Sequence, residues 1–114
     1  MKNETNIIVK NHLGRPQMTI KVGMGSEDFI TLPTAVWNYG AIVSALIRHK
    51  YSENEVESIV SNYLMIMQNP LSVSEEESNE KLNEFNEFQE YRNKCKARAN
   101  ELLSIGEEMG IKEM

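Results

Sequence analysis

With Cys95 as its single cysteine, the chain can form no internal disulfide and no cysteine-based zinc cage of its own. It has only two histidines, His12 and His49, and neither stands at metal-ligand spacing from a second ligand. His-x3-His, His-Glu-x2-His and Cys-x2-Cys patterns are absent. No pair of unlike titratable groups is placed together by the sequence, so no catalytic residue, cofactor or metal is expected. Long hydrophobic runs are also missing. The longest, residues 35–47, is too short for a bilayer and is interrupted by Asn38 and Ser44. The opening Met1-Lys2-Asn3-Glu4-Thr5-Asn6 lacks the apolar core of a signal peptide, so a cytoplasmic location without membrane contact is expected. Nor is there an excess of basic charge. The 12 Lys+Arg against 17 Asp+Glu leave −5, with a pI near 5.1, which argues against a general nucleic-acid coat.

The charge that is present is distributed in blocks. Residues 1–51 carry +3, residues 52–90 carry −9, residues 91–98 carry +4 and residues 99–114 carry −3. The sharpest change falls within one helix-like segment, residues 74–105. It opens with Glu75, Glu76 and Glu77, continues through Glu80, Glu84, Glu87 and Glu90 against Lys81 alone, then switches to Arg92, Lys94, Lys96 and Arg98. A helix of about 31 residues is roughly 45 Å long, whereas a compact domain of this size is about 35 Å across. Such a helix must span the domain or project from it.

The fold class expected is α+β: a small N-terminal antiparallel meander of two or three strands, then three helices, in a single domain over residues 1–114. Residues 6–32 hold the meander. Ile7-Ile8-Val9 is a β-branched run. Met18, Ile20 and Val22 alternate with period two, and Phe29-Ile30-Thr31-Leu32 either forms a third strand or only leads into the helix. Turn chemistry separates these segments at Leu13-Gly14-Arg15-Pro16 and at Gly23-Met24-Gly25-Ser26.

Residues 33–68 read as an αα-hairpin. Pro33 suits a first helical turn, Gly40 falls inside that helix, and near-continuous apolar residues to Ile47 predict a buried element. Gly40 with Ser44, and Ala41 with Ala45, make small-residue ridges, while Arg48, His49 and Lys50 suit a helix C-terminus. Ser52-Glu53-Asn54-Glu55 is a capping box. The helix that follows is apolar at Val56, Ile59, Val60, Tyr63, Leu64 and Met67, with Met65 and Ile66 widening the stripe near Asn69-Pro70. Ser74 is the expected cap of the long helix, and residues 106–114, with Gly106 and Gly110, are expected to fray into a mobile tail.

Each feature suggestive of chemistry has a plainer competitor. Gly23-x-Gly25-Ser26 lacks the Gly-Lys-Ser/Thr ending of a phosphate loop and reads as a hairpin turn. Glu75, Glu76, Glu77 and Glu80 lack the ligand order of an EF-hand and suit the positive end of a helix dipole. Residues 33–68 have the outline of a helix-turn-helix, but Glu53, Glu55 and Glu57 stand where phosphate would lie. Trp37 and Tyr39 read as core aromatics rather than a pocket. Cys95 has basic neighbours that could lower its pKa, yet falls on the apolar helix face and reads as packing.

What remains is a helix with an aromatic face, containing Phe85, Phe88, Tyr91 and Leu102, beside the basic Arg92 and Lys96. These six are the expected partner-binding residues. The function expected is that of a non-catalytic interaction or assembly protein. The long helix would serve self-association, through antiparallel pairing that sets acidic half against basic half, or the docking of another protein. The alternatives are an acidic inhibitor or decoy of a nucleic-acid enzyme and a nucleic-acid accessory protein using residues 92–98, although nucleic acid is the less expected partner. Small size and dispersed asparagine, twelve in all, are compatible with a phage or mobile-element component.

Overall fold

The computed structural model describes residues 6–114, apart from the His12 side chain; readings of residues 1–5 and of that imidazole fall outside it. The protein is α+β. Strands β1 (Ile7–His12), β2 (Arg15–Gly23) and β3 (Ser26–Pro33) form an antiparallel sheet in the order β1-β2-β3. A short 3-10 turn, Thr34–Val36, leads to helices α1 (Tyr39–Lys50), α2 (Glu53–Gln68) and α3 (Glu75–Glu108). A second 3-10 turn, Pro70–Ser72, separates α2 from α3.

Both hairpins turn through two residues of positive φ, Leu13-Gly14 and Met24-Gly25, the geometry that matches the right-handed twist of the strands. Register sets Ile7 against Ile20, Met18 against Leu32 and Ile20 against Ile30, so these residues share one face. Val22 lies on the same side by its period of two. Met18, Ile20 and Val22 are buried in the core with Trp37, Ile42 and Leu46. From α3 the core receives Cys95, Ala99 and Leu102. Helices α1 and α3 thus cover one sheet face. The other carries Thr19 and Thr31, whose hydroxyls lie 3.2 Å apart.

Local capping signals are realised. Ser52 accepts from Glu55 N–H while the Glu55 carboxylate accepts from Ser52 N–H, a complete capping box. Ser74 accepts from Glu77 N–H at the head of α3. The start of α1 differs from expectation. Pro33 ends β3, and Asn38 caps the helix by accepting from Ala41 N–H. The chain between them turns Trp37 into the core, and Gly40 becomes an exposed first-turn residue rather than a mid-helix one. The side-chain amide of Asn38 satisfies an orphan N–H, and Pro33 has no equivalent group to offer.

The end of α3 differs as well. The helix continues through Gly106 to Glu108, because a residue without a Cβ is what the Trp37 ring admits there: an added Cβ would lie 3.3 Å from Trp37 Cζ2. Residues 109–114, expected as a frayed tail, turn back. Met114 N–H donates to Trp37 O at 2.7 Å, and the Glu113 carboxylate accepts from Tyr39 N–H at 3.1 Å, at the positive end of α1.

The molecule measures 54 × 34 × 19 Å with a radius of gyration of 17.6 Å, against about 13 Å for a compact chain of this length. The 34 residues of α3 account for the long axis. Its C-terminal half packs on the sheet. Its N-terminal half pairs with α2, and the two form a projecting arm, along which Tyr63 and Phe85 stack with ring centroids 3.8 Å apart.

Arg98 ties the helix to the sheet. Its Nε donates to Val22 O at 3.1 Å, Nη2 to Lys21 O at 2.8 Å and to Asn6 Oδ1 at 2.9 Å, and Nη1 to Glu101 at 2.6 Å. The residue is only 8% exposed. Gly23 makes room for it: φ is +72°, and a Cβ there would sit 2.7 Å from Arg98 Nε. Arg98→Ala should therefore destabilise by about 2–4 kcal/mol, since it strands buried acceptors. Gly23→Ala should cost about 1–3 kcal/mol through strain and displacement of the guanidinium. Exposed Arg92→Ala should stay within about 0.5 kcal/mol of wild type. Urea unfolding followed by Trp37 fluorescence measures all three, and equal losses at Arg98 and Arg92 would contradict the clamp.

Candidate functional site

The six expected partner-binding residues do not form one surface. Leu102 is 0% exposed and Phe88 5%. Both are consumed by the protein's own packing, because the sheet and α1 occupy the helix face that the sequence leaves open. Tyr91 is half-buried and donates its hydroxyl to Leu46 O at 3.0 Å. Tyr51 lies edge-on to Phe88, with centroids 5.3 Å apart, and tilts against Tyr91, while Lys50 Nζ stands 4.8 Å from the Tyr91 ring. This aromatic cluster joins the core to the arm. Phe85, on the arm, is half-buried against Tyr63; Arg92 is exposed and Lys96 partly so.

The basic collar of residues 92–98 is correspondingly smaller than its sequence implies. Arg98 faces inward, which leaves Arg92, Lys94 and Lys96 on the outside. Cys95 is fully buried, and burial pushes its thiol up despite the opposing effects of the Tyr91 hydroxyl and Lys50. It is a packing residue. His49, in the last turn of α1, has Nε2 3.0 Å from Asp28 Oδ2. No group of three or more His, Cys, Asp or Glu side chains able to hold a metal occurs among the described residues. No helix among them is long and apolar enough to cross a membrane.

The two sides of the α2–α3 seam differ in chemistry. One side is lined by Ser58, Asn62, Lys81, Glu84 and Glu87, and is polar and acidic. The other begins at a depression where Val56 of α2 meets Phe88 and Arg92 of α3, lined also by Ile47 and Arg48 of α1 and by Glu53 and Glu57 of α2, with Arg48 paired to Glu53 at 3.2 Å. Along α2 the helical repeat carries this side on from Val56 to Val60, Leu64 and Met67. Along α3 it runs back from Arg92 through Gln89 and Phe85 to Leu82, Ser78 and Glu75, and forward to Lys96. At the tip, Leu64 is 49% exposed, Met67 57% and Leu71 95%. Met65 is also exposed, on the outer face of α2.

The six expected partner-binding residues omit the tip of the arm, although the apolar stripe that Met65 and Ile66 widen at the end of α2 pointed to burial on two sides or to an interface there. Leu64 and Met67 read as members of a buried stripe and Leu71 as a linker. The available signal was width: Val56, Ile59, Val60, Tyr63, Leu64, Ile66 and Met67 cover more of α2 than one neighbouring helix can bury. In the structure Ile66 faces inward and is buried, while Leu64 and Met67 are left over.

The chain matches no known protein-family model, no curated protein and no solved structure. Fold and surface chemistry carry the functional argument.

Burial, first, and then the neighbouring Cys95 raise the ionisation of the Tyr91 phenol far above its ordinary value of 10.0. A raised phenol favours folding while both states are protonated. That contribution is complete below about pH 10 and declines as pH rises beyond it. Tyr91→Phe should lose about 0.5–1.5 kcal/mol at neutral pH with its hydroxyl bond, and should show a shallower loss of stability above about pH 10. Urea titrations at several pH values give both readouts; an unchanged alkaline slope would show that Tyr91 is not the group responsible.

Proposed function

We propose that this protein is non-catalytic and acts by docking, with the projecting α2–α3 arm as the part offered to a protein partner. The observation that carries this reading is the apolar side of the arm, where Leu64 and Met67 stay exposed on α2, with Leu71 95% exposed in the turn at its tip. A contiguous apolar patch on a projecting element is costly in water unless something covers it. The reading retains the long helix as the organising element but moves the contact from its C-terminal face to its junction with α2.

The acidic side of the arm supports a second reading, a decoy for a basic protein surface. Glu84 and Glu87 lie together there, clear of the apolar side. Binding of that kind would fall steeply with salt and with Glu84→Gln/Glu87→Gln. A nucleic-acid role has less to rest on, because Arg98 is spent inside the fold. A phage or mobile-element origin rests on composition alone.

A photocrosslinking residue placed at Leu71 tests the docking reading. In the native source it should form protein adducts that disappear when Leu64→Glu and Met67→Glu are added. The same crosslinker at Thr31, on the outer sheet face, should form none. The two glutamates should each change stability by no more than about 0.5 kcal/mol, as expected of exposed positions. Equal adducts from both sites, or adducts indifferent to the glutamates, would remove the arm as the docking surface.

A further inference from the structure

We infer that the occupant of the arm's apolar side is the same side of a second copy. The two arms lie antiparallel about a two-fold axis near Phe85 and together form a four-helix bundle. This rests on the reading that the arm docks a protein, and it names that protein.

Charge favours this pairing. By the helical repeat, α3 carries Glu75 toward the tip of this side and Arg92 and Lys96 at its base; of the other charges lining the basal depression, Arg48 of α1 pairs with Glu53 of α2 at 3.2 Å, and Glu57 stands beside them. From Glu75 to the midpoint of Arg92 and Lys96 is about 19 residues, or roughly 28 Å of helix. Antiparallel pairing centred on Phe85 sets residues whose numbers sum to about 170 opposite each other, which is the arithmetic of a two-fold axis at that position. Glu75 of each copy then stands between Arg92 and Lys96 of the other. Leu82 meets the turn that holds Phe88 and Gln89, and Phe85 meets Phe85. Parallel pairing would instead set Arg92 on Arg92, Lys96 on Lys96 and Glu75 on Glu75. Glu84 and Glu87 lie on the other side of the seam and are not brought together by the contact.

The two-helix part of the arm is about 24 Å long, the length of the 16 residues of α2, and about 20 Å across, so each copy would bury about 500 Å². The total of about 1,000 Å² falls among the small interfaces of transient complexes, which suits a reversible dimer. Two helices alone can bury only the seam between them. A pair of hairpins gives each helix a second neighbour at the shallow crossing angle of helical bundles, and it covers the leftover stripe of α2, Val60, Leu64 and Met67.

Sedimentation equilibrium of the full chain, from about 1 to about 500 µM, should show a monomer–dimer equilibrium that weakens with added salt. Leu64→Glu should leave only monomer. Arg92→Glu/Lys96→Glu should weaken dimerisation by about tenfold or more, and adding Glu75→Lys to that variant should recover most of the loss. The recovery is specific to antiparallel pairing. Circular dichroism on each variant separates loss of association from loss of fold. Monomer at every concentration would overturn the inference, as would a dimer indifferent to the Arg92/Lys96 reversal. If the chain is monomeric but a crosslinker at Leu71 still captures a different protein in a Leu64- and Met67-dependent way, the inference falls and the docking reading stands. If it is monomeric and captures nothing, both fall.

Discussion

The architecture depends on how the base of α3 is held to the sheet. Arg98 supplies the polar part of that joint, and its position explains its strength. Strand β2 pairs irregularly with β3 between Lys21 and Gly23, and there the carbonyls of Lys21 and Val22 accept from the Arg98 guanidinium. A planar guanidinium can satisfy both, together with Asn6 of the segment leading into β1 and Glu101 one turn along its own helix. The joint therefore ties three parts of the chain distant in sequence. Gly23 is the concession that lets it form, since any side chain there would occupy the space of the guanidinium.

Once the base is held, the remainder of α3 has to project, because a helix of 34 residues is longer than the three-stranded sheet it rests on. Trp37 and Gly106 anchor one end of that base, with Met114 and Glu113 closing over the start of α1. The aromatic cluster of Tyr51, Phe88 and Tyr91 marks the other end, where core packing gives way to helix-on-helix packing. Beyond it, among the described residues, α2 is what supports α3. A single supporting helix leaves α3 and itself each with an uncovered flank, so the arm has two unlike sides, one acidic and one apolar. The functional reading grows from that incomplete coverage.

Local signals were the legible ones. Ser52 with Glu55, and Ser74, mark helix starts because capping involves groups three residues apart, and the structure realises both. The alternation of Met18, Ile20 and Val22 is legible for the same reason: a strand exposes its faces with period two whatever it packs against. At Pro33 the local signal misled. A proline fit for a helical first turn ends β3 instead, and the cap is Asn38, set beyond the point where Trp37 turns into the core. No local rule weighs that burial.

The sequence by itself determined the element types, their order, the charge segregation along α3 and the absence of recognisable catalytic or metal-ligand patterns, all of which depend on residues close together in the chain. Only the tertiary structure decided which apolar and charged residues remain available. Leu102 and Phe88 vanish into the core while Leu64 and Leu71 stay in water; Arg98 turns inward while Arg92 turns out. Periodicity assigns a residue to a helix face, but whether that face meets a sheet, a helix or solvent is a property of elements far apart in sequence.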